Sequence, residues 1–139
     1  MKQAQETLVV RTTGRGLVNV TARVADIVRH SGVSSGLCVV FCQHTSASLA
    51  VLENASPDAA ADLLAFLARL APDGDPAHTH VAEGPDDMPA HLRAALTRSS
   101  ESVPVASSAL VLGRWQGLFL LEHRLAGSVR RLVVHVTGE

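Results

Sequence analysis

The stretch QHTSASLAVLE, Gln43 to Glu53, sets a histidine, His44, at the end of an apolar run and follows it with Thr45, Ser46 and Ser48. An imidazole can bind a metal or carry a proton near neutral pH, and hydroxyls can donate to anionic oxygens. The segment PDGDPAHTHVAEGPDD, residues 72–87, adds His78, His80, Glu83, Asp86 and Asp87, and His91 follows. Three imidazoles with an open position are a common cradle for catalytic zinc. His44, His80 and His91 are far apart in sequence, so only folding could join them, and their spacing matches neither HExxH nor paired CxxC. Glu53 and Glu122 each end an apolar strand, as rim residues or as pocket carboxylates that move protons or orient a ligand. Arg124, Arg130 and Arg131 read as an anion clamp or as a solvated hairpin end, and Trp115 as a pocket wall or a core plug. His30, His78 and His135 read as surface histidines, and Asp58 and Asp62 as acids placed by a helix dipole.

Elements must bring these groups together. TLVVRTT reads as a first strand and GRGLVNV as a turn with a short second one. Thr21 is a candidate N-cap for a helix whose stripe is Val24, Ile27 and Val28. LCVVFCQ is a near-continuous apolar run, read as a central strand with Cys38, Val40, Cys42 and His44 on one face. ASLAVLE is a further strand. Ser56 and Pro57 start a helix whose buried side would be Leu63, Leu64, Phe66, Leu67 and Leu70. Residues 72–87 lack periodicity, and a loop of that length in a compact domain is usually functional or disordered. Pro89 opens a third helix, and SVPVAS, ALVLG, WQGLFLLEH and RRLVVHVTG read as strands. Helices among strands without a βαβ rhythm predict an α+β fold: a single compact domain over residues 1–139, with a mixed or antiparallel sheet and about three helices.

The composition narrows the partners. A net charge of −1 supplies no basic excess for a phosphate backbone, which argues against nucleic acid. Seven histidines against one Trp and three Phe make histidine the compositional signal. An apolar content of 47% exceeds what one small core needs and hints at a buried interface between copies. Cys38 and Cys42, on one strand face roughly 13 Å apart, are too distant for a disulfide. Free thiols, an N-terminus without an apolar signal segment and no run long enough to span a membrane lead to the expectation of a cytoplasmic protein without membrane attachment.

The motifs QHTSAS, EGPDDMPAH, GRWQG and EHR, in that order, resemble the YjbQ family, also called the secondary thiamine-phosphate synthase family, over essentially the whole chain. The resemblance implies a compact α+β domain assembled as a homotrimer, with a site near subunit boundaries that uses histidines and acids, often with a metal. It points to His44, His80 and His91 for a divalent metal, a zinc-like transition metal ahead of magnesium. It also points to Glu83, Asp87 and Glu122 as catalytic acids, and to Thr45, Ser46, Ser48, Trp115, Gln116 and Arg124 as contacts to a small phosphorylated metabolite. The chain departs from the family pattern at Leu52 before Glu53, at Ser56 before Pro57 and at Arg114 before Trp115, and the first two put in doubt a substrate contact or a supporting role near Glu53. Three functions are carried forward. One is thiamine-phosphate synthesis, the transfer of a pyrimidine-methyl group with release of pyrophosphate. The second is metal-assisted hydrolysis or transfer on a small phosphorylated or acyl substrate, with Glu83 or Glu122 shuttling the proton. The third is a metal- or metabolite-binding trimer without turnover.

Overall fold

The computed structural model describes residues 1–139 as β1 (Lys2–Arg11), β2 (Gly16–Asn19), α1 (Thr21–His30), β3 (Ser35–Cys42), β4 (Ala47–Glu53), α2 (Pro57–Leu70), α3 (Asp87–Leu96), β5 (Ser100–Ala106), β6 (Ala109–Leu110), β7 (Gln116–Glu122) and β8 (Val129–Gly138). Every strand pairing is antiparallel. One sheet has the order β1-β8-β3-β5-β6 and the other β2-β7-β4, which makes the domain α+β with three helices. No helix is long and apolar enough to cross a membrane.

Period-two burial sets the layers. In β3, Cys38, Val40 and Cys42 are buried on the inner face, as their alternation predicts. They join Leu132, Val134 and Val136 of β8, Leu49, Leu118 and Leu120 of the smaller sheet, and Val24 and Val28 of α1 in one core. Both thiols are free, and burial raises Cys38 to about 11. β7 is buried on both faces. Leu118 and Leu120 face the larger sheet, whereas Phe119 and Leu121 pack with Leu67 of α2 on the other side. Glu122 therefore points between the sheets and His123 toward the helices, an outcome of strand phase alone.

Several expectations change. Thr21 is the first helical residue and Val20, which offers no side-chain cap, is the N-cap; one residue earlier, Asn19 Oδ1 accepts from Thr21 N at 3.0 Å and Thr21 Oγ1 at 2.7 Å. Ser56 does cap α2, accepting from Asp58 N at 3.2 Å, with Pro57 in the first turn. The buried side expected for α2 is much narrower: only Leu67 is buried, Leu63 and Leu64 are half-buried, and Phe66 and Leu70 are exposed. A three-stranded sheet whose β2 has four residues is too small to cover the whole apolar stripe. β1 is longer than expected because it pairs with β8 along its full length, and α3 starts two residues before Pro89.

The outer face of the larger sheet carries apolar residues among polar ones such as Arg131, His135 and Ser102. Leu37, Phe41 and Val129 are exposed there, and Val9, Val39 and Val133 are half-buried. Phe41 pairs with Val133 and Leu37 with Pro104 across neighbouring strands, which sets apolar cross-strand pairs on this face.

Candidate functional site

Asp87 and His91 are four residues apart on α3 and share one helix face. The loop before α3 returns His80 to the same point. His80 Nε2 and His91 Nε2 each lie 3.0 Å from Asp87 Oδ2. These are the three ligand-capable atoms that the fold gathers, all within 4.8 Å of one another. The Asp87 side chain is sealed at 2% exposure, while His80 is the open side of the cluster at 55%. Arg124 Nη1 donates to Asp87 Oδ1 at 2.7 Å, so one carboxylate oxygen is held by a cation and the other is presented to two imidazoles.

The tautomer of His91 is fixed by its neighbour. Its Nδ1 lies 2.8 Å from the carbonyl oxygen of Thr45, which can only accept, so Nδ1 carries a proton. In a neutral ring the lone pair of Nε2 then faces the carboxylate lone pairs of Asp87. Two lone pairs at 3.0 Å repel unless a proton or a cation lies between them. A backbone carbonyl that orients a histidine in this way is a common support for metal-ligating imidazoles.

Arg124 locks the acidic end of the loop. Its Nε donates to Asp86 Oδ2 at 3.0 Å and its Nη2 to the Glu83 carbonyl at 3.0 Å. The backbone N–H of Leu125 also donates to Asp86, and that bond with the Arg124 guanidinium holds the Asp86 carboxyl below the usual range. The Asp86 hydrogen bond and the charges of Asp86, Asp87 and Glu83 raise Arg124.

His44 shares a wall with the cluster without joining it. A recess of about 760 Å³ is lined by His44, Thr45, His80 and His91, with Met88, Ala94 and Ala95 as its apolar side and Thr97 and Ser99 as hydroxyls. The Nε2 of His44, however, accepts from Arg131 N at 2.8 Å, and its Nδ1 faces Arg130 at 3.4 Å. Burial, then the Arg130 charge, pushes its pKa down, and the lone pair of Nε2 is already used by the Arg131 N–H. Asp87 occupies the place in the cluster that the sequence reading gives to His44.

The other candidates divide. Glu83 is exposed, 3.8 Å from Arg124, and does not line the recess. Glu122 is fully buried: Arg130 donates to it through Nε and Nη2, Thr12 Oγ1 donates at 2.6 Å and Arg124 N at 3.2 Å. It is an anchor between the sheets and does not line the recess. Ser46 Oγ accepts from Arg130 Nη2 at 3.0 Å. Ser48 is 1% exposed, with its hydroxyl 2.7 Å from His123 Nε2 and 2.6 Å from Thr97 Oγ1, so strand phase turns it away from any ligand. Trp115 and Gln116 sit at the opposite end of β7 from Glu122, roughly 20 Å away at a strand's rise per residue. Trp115 is exposed with Arg114 stacked 4.9 Å above it, and Gln116 Oε1 accepts from Gly113 N. Within one chain they take no part in the recess. Glu53 accepts from Ser56 N at 3.3 Å and supports the entry to α2.

Arg93 and His123 are buried polar groups that the sequence did not single out. Arg93, 2% exposed, donates through Nε and Nη2 to the Ala71 carbonyl and ties the start of the long loop to α3. Nothing in the sequence separates it from an ordinary helix-surface arginine. His123 is fully buried and its Nδ1 has no partner; burial, with the Arg93 charge, pushes it down to about 4. Its signal was the apolar content on both faces of β7.

Comparison with known proteins assigns the chain. The model for the family described as UPF0047 protein YjbQ-like matches residues 6–139. The chain belongs to the YjbQ family. A UPF0047 protein of Synechocystis is 50% identical over 138 residues, 99% of this chain and 94% of that one. Escherichia coli YjbQ is 37% identical, with 97% of this chain and 98% of that protein covered. Among solved structures, a YbjQ-like protein of unknown function from Sulfolobus solfataricus superposes with a TM-score of 0.86 at 29% identity, covering 99% of both chains. A conserved hypothetical protein from Thermus thermophilus gives 0.85 at 36% identity, covering 95% of this chain and 99% of that one. The α+β architecture is thus that of the YjbQ family throughout.

Proposed function

We propose that this YjbQ-family chain is a metal-dependent enzyme whose divalent cation is held by His80, Asp87 and His91, and whose substrate is a small phosphorylated or acyl compound. The observation that carries this reading is the carboxylate oxygen of Asp87 facing two imidazole Nε2 atoms, one of them with its proton pinned on the far nitrogen. Two imidazoles and one carboxylate suit zinc, iron or manganese better than magnesium, which prefers an all-oxygen shell. Bound there, such a cation supplies Lewis acidity toward a phosphoryl or carbonyl oxygen and lowers the pKa of water.

The remaining roles belong to the chain. The Thr45 carbonyl orients His91, and Arg124 fixes Asp87. Met88, Ala94 and Ala95 offer an apolar surface to the body of a ligand, while Thr97 and Ser99 supply hydroxyls. Of the two acids proposed to move a proton, Glu83 is the exposed one and Glu122 is buried. The apolar residues on the outer face of the larger sheet support self-association, and we take the assembly to be a cytoplasmic homotrimer.

Thiamine-phosphate synthesis is the narrower reading, and it is tested in a host whose own route to thiamine phosphate has been deleted. Restored growth supports it, and its absence leaves hydrolysis or transfer. The broader reading is tested by turnover of a panel of phosphomonoesters and acyl esters by protein loaded with zinc, manganese or iron. Activity lost in Asp87→Asn supports an enzyme. Metal retention without turnover of any member supports a binding protein instead.

A further inference from the structure

We infer that the recess beside the β7–β8 turn is a second binding site, built for a tetrahedral oxyanion of the phosphate class. It lies outside the histidine recess and measures about 280 Å³. That is below the range for a drug-sized ligand, so its occupant is a group rather than a whole metabolite. Its walls are Ser46, Arg124, Ala126, Gly127, Ser128 and Arg130, with no carboxylate among them. Glu122, Asp87 and Asp86, which pair with the two guanidiniums, are buried at 0%, 1% and 8% exposure, and the exposed Glu83 stands 3.8 Å from Arg124 without lining the recess.

Donors remain unused on this surface. A guanidinium carries five N–H bonds. Arg130 uses Nε and Nη2 on Glu122 and Ser46, which leaves Nη1 with a single 3.4 Å approach to His44. Arg124 gives one N–H each from Nε, Nη1 and Nη2 to Asp86, Asp87 and the Glu83 carbonyl, and keeps two. Ser46 Oγ accepts from Arg130 and has its own proton to give. The Ser128 hydroxyl and the N–H groups of Ala126 and Gly127 have no partner within the chain.

The recess is also held in shape. The Arg130 side chain is only 6% exposed, a fixed cation rather than a mobile surface one. The turn is stapled to the end of β1 by Thr12 N to Ser128 O and Ser128 N to Thr12 Oγ1, both 2.9 Å. A Cβ on Gly127 would stand 2.3 Å from Thr12 O, so only glycine lets the turn come this close. Two oriented guanidiniums, hydroxyls and free amides around a small recess make a preorganised anion site. It stands independently of any metal at His80, Asp87 and His91.

The test is titration calorimetry of chelator-treated protein at pH 7.5 with inorganic phosphate. The wild type and His91→Ala should bind alike. Ser128→Asp, which adds a like charge at the rim, should weaken binding on the order of tenfold or more. Ala126→Asp, at an exposed position of the same turn, repeats the test should the first variant fold poorly. No binding by the wild type, undiminished binding by both aspartate variants, or loss of binding in His91→Ala would each overturn the site. Phenyl phosphate distinguishes the sources: equal or tighter binding marks the phosphate end of an ester, and exclusion marks free phosphate.

Discussion

Replacing Arg130 by Met tests the electrostatic frame on which the site is mounted. Glu122 is 0% exposed, and Arg130 supplies two of the four hydrogen bonds to its carboxylate. Removing one partner of a buried ion pair strands the other charge and costs about 3–5 kcal/mol. With an unfolding entropy of about 2 cal/mol/K per residue, a chain of this length loses roughly 10–17 °C of Tm. The pH dependence has a definite sign. Burial by itself would raise the Glu122 pKa, but the bonds from Arg130, Thr12 and the Arg124 N–H outweigh it and hold it below the ordinary value. The pair therefore stabilises the fold fully above the unfolded glutamate value of about 4.3 and loses that contribution as pH falls through the lower folded value. In Arg130→Met the carboxyl is free to protonate, so the gap to wild type should be large at pH 7 and narrower at pH 4. Thermal unfolding followed by circular dichroism at both values reads it. A loss under about 2 °C at pH 7, or a gap that does not shrink in acid, would refute the reasoning. The double variant Glu122→Leu/Arg130→Met should recover much of the loss, because no unpaired charge remains.

Two further outcomes follow from particular residues. His123, held down to about 4 by burial, is neutral in the fold while the unfolded chain takes up its proton near 6.5. Stability should thus fall by about 3 kcal/mol between pH 6.5 and 4 through this group, and His123→Gln should flatten that part of the urea-denaturation profile. Phe41→Glu, on the exposed outer face of the larger sheet, should convert the proposed trimer of about 44 kDa into monomers of 14.6 kDa in sedimentation, since a charge at a buried interface is unpaired. An unchanged mass would move the interface elsewhere.

The fold was largely legible because its strands alternate cleanly: Cys38, Val40 and Cys42 face inward, and no βαβ rhythm interrupts the antiparallel order. Strand phase also brought out why the chain changes character at His44, where the apolar face ends and a recess begins. The α2 stripe misled because periodicity records apolar content, whereas burial depends on the area opposite; three short strands leave Phe66 and Leu70 uncovered. At the site, residue types indicated His80, His91 and Asp87, yet not their grouping. That Asp87 joins the two histidines while His44 turns to the Arg131 amide depends on how the loop docks, which no local spacing encodes. Ser48 and Glu122 look like ligand contacts in one dimension and prove to be interior polar anchors, because the smaller sheet is covered on both faces: Glu122 points between the sheets and Ser48 toward the helices.

The central claim concerns three side chains, and metal content tests it most directly. Untagged protein, purified without chelator and reloaded with zinc, manganese or iron, should carry close to one ion per chain by elemental analysis. His80→Ala and His91→Ala should lose it while keeping the wild-type circular dichroism spectrum, and His44→Ala should retain it, because the His44 ring is bonded to the Arg131 amide instead. A wild type that holds no metal after reloading, or a His44→Ala variant that loses it as the other two do, would contradict the account.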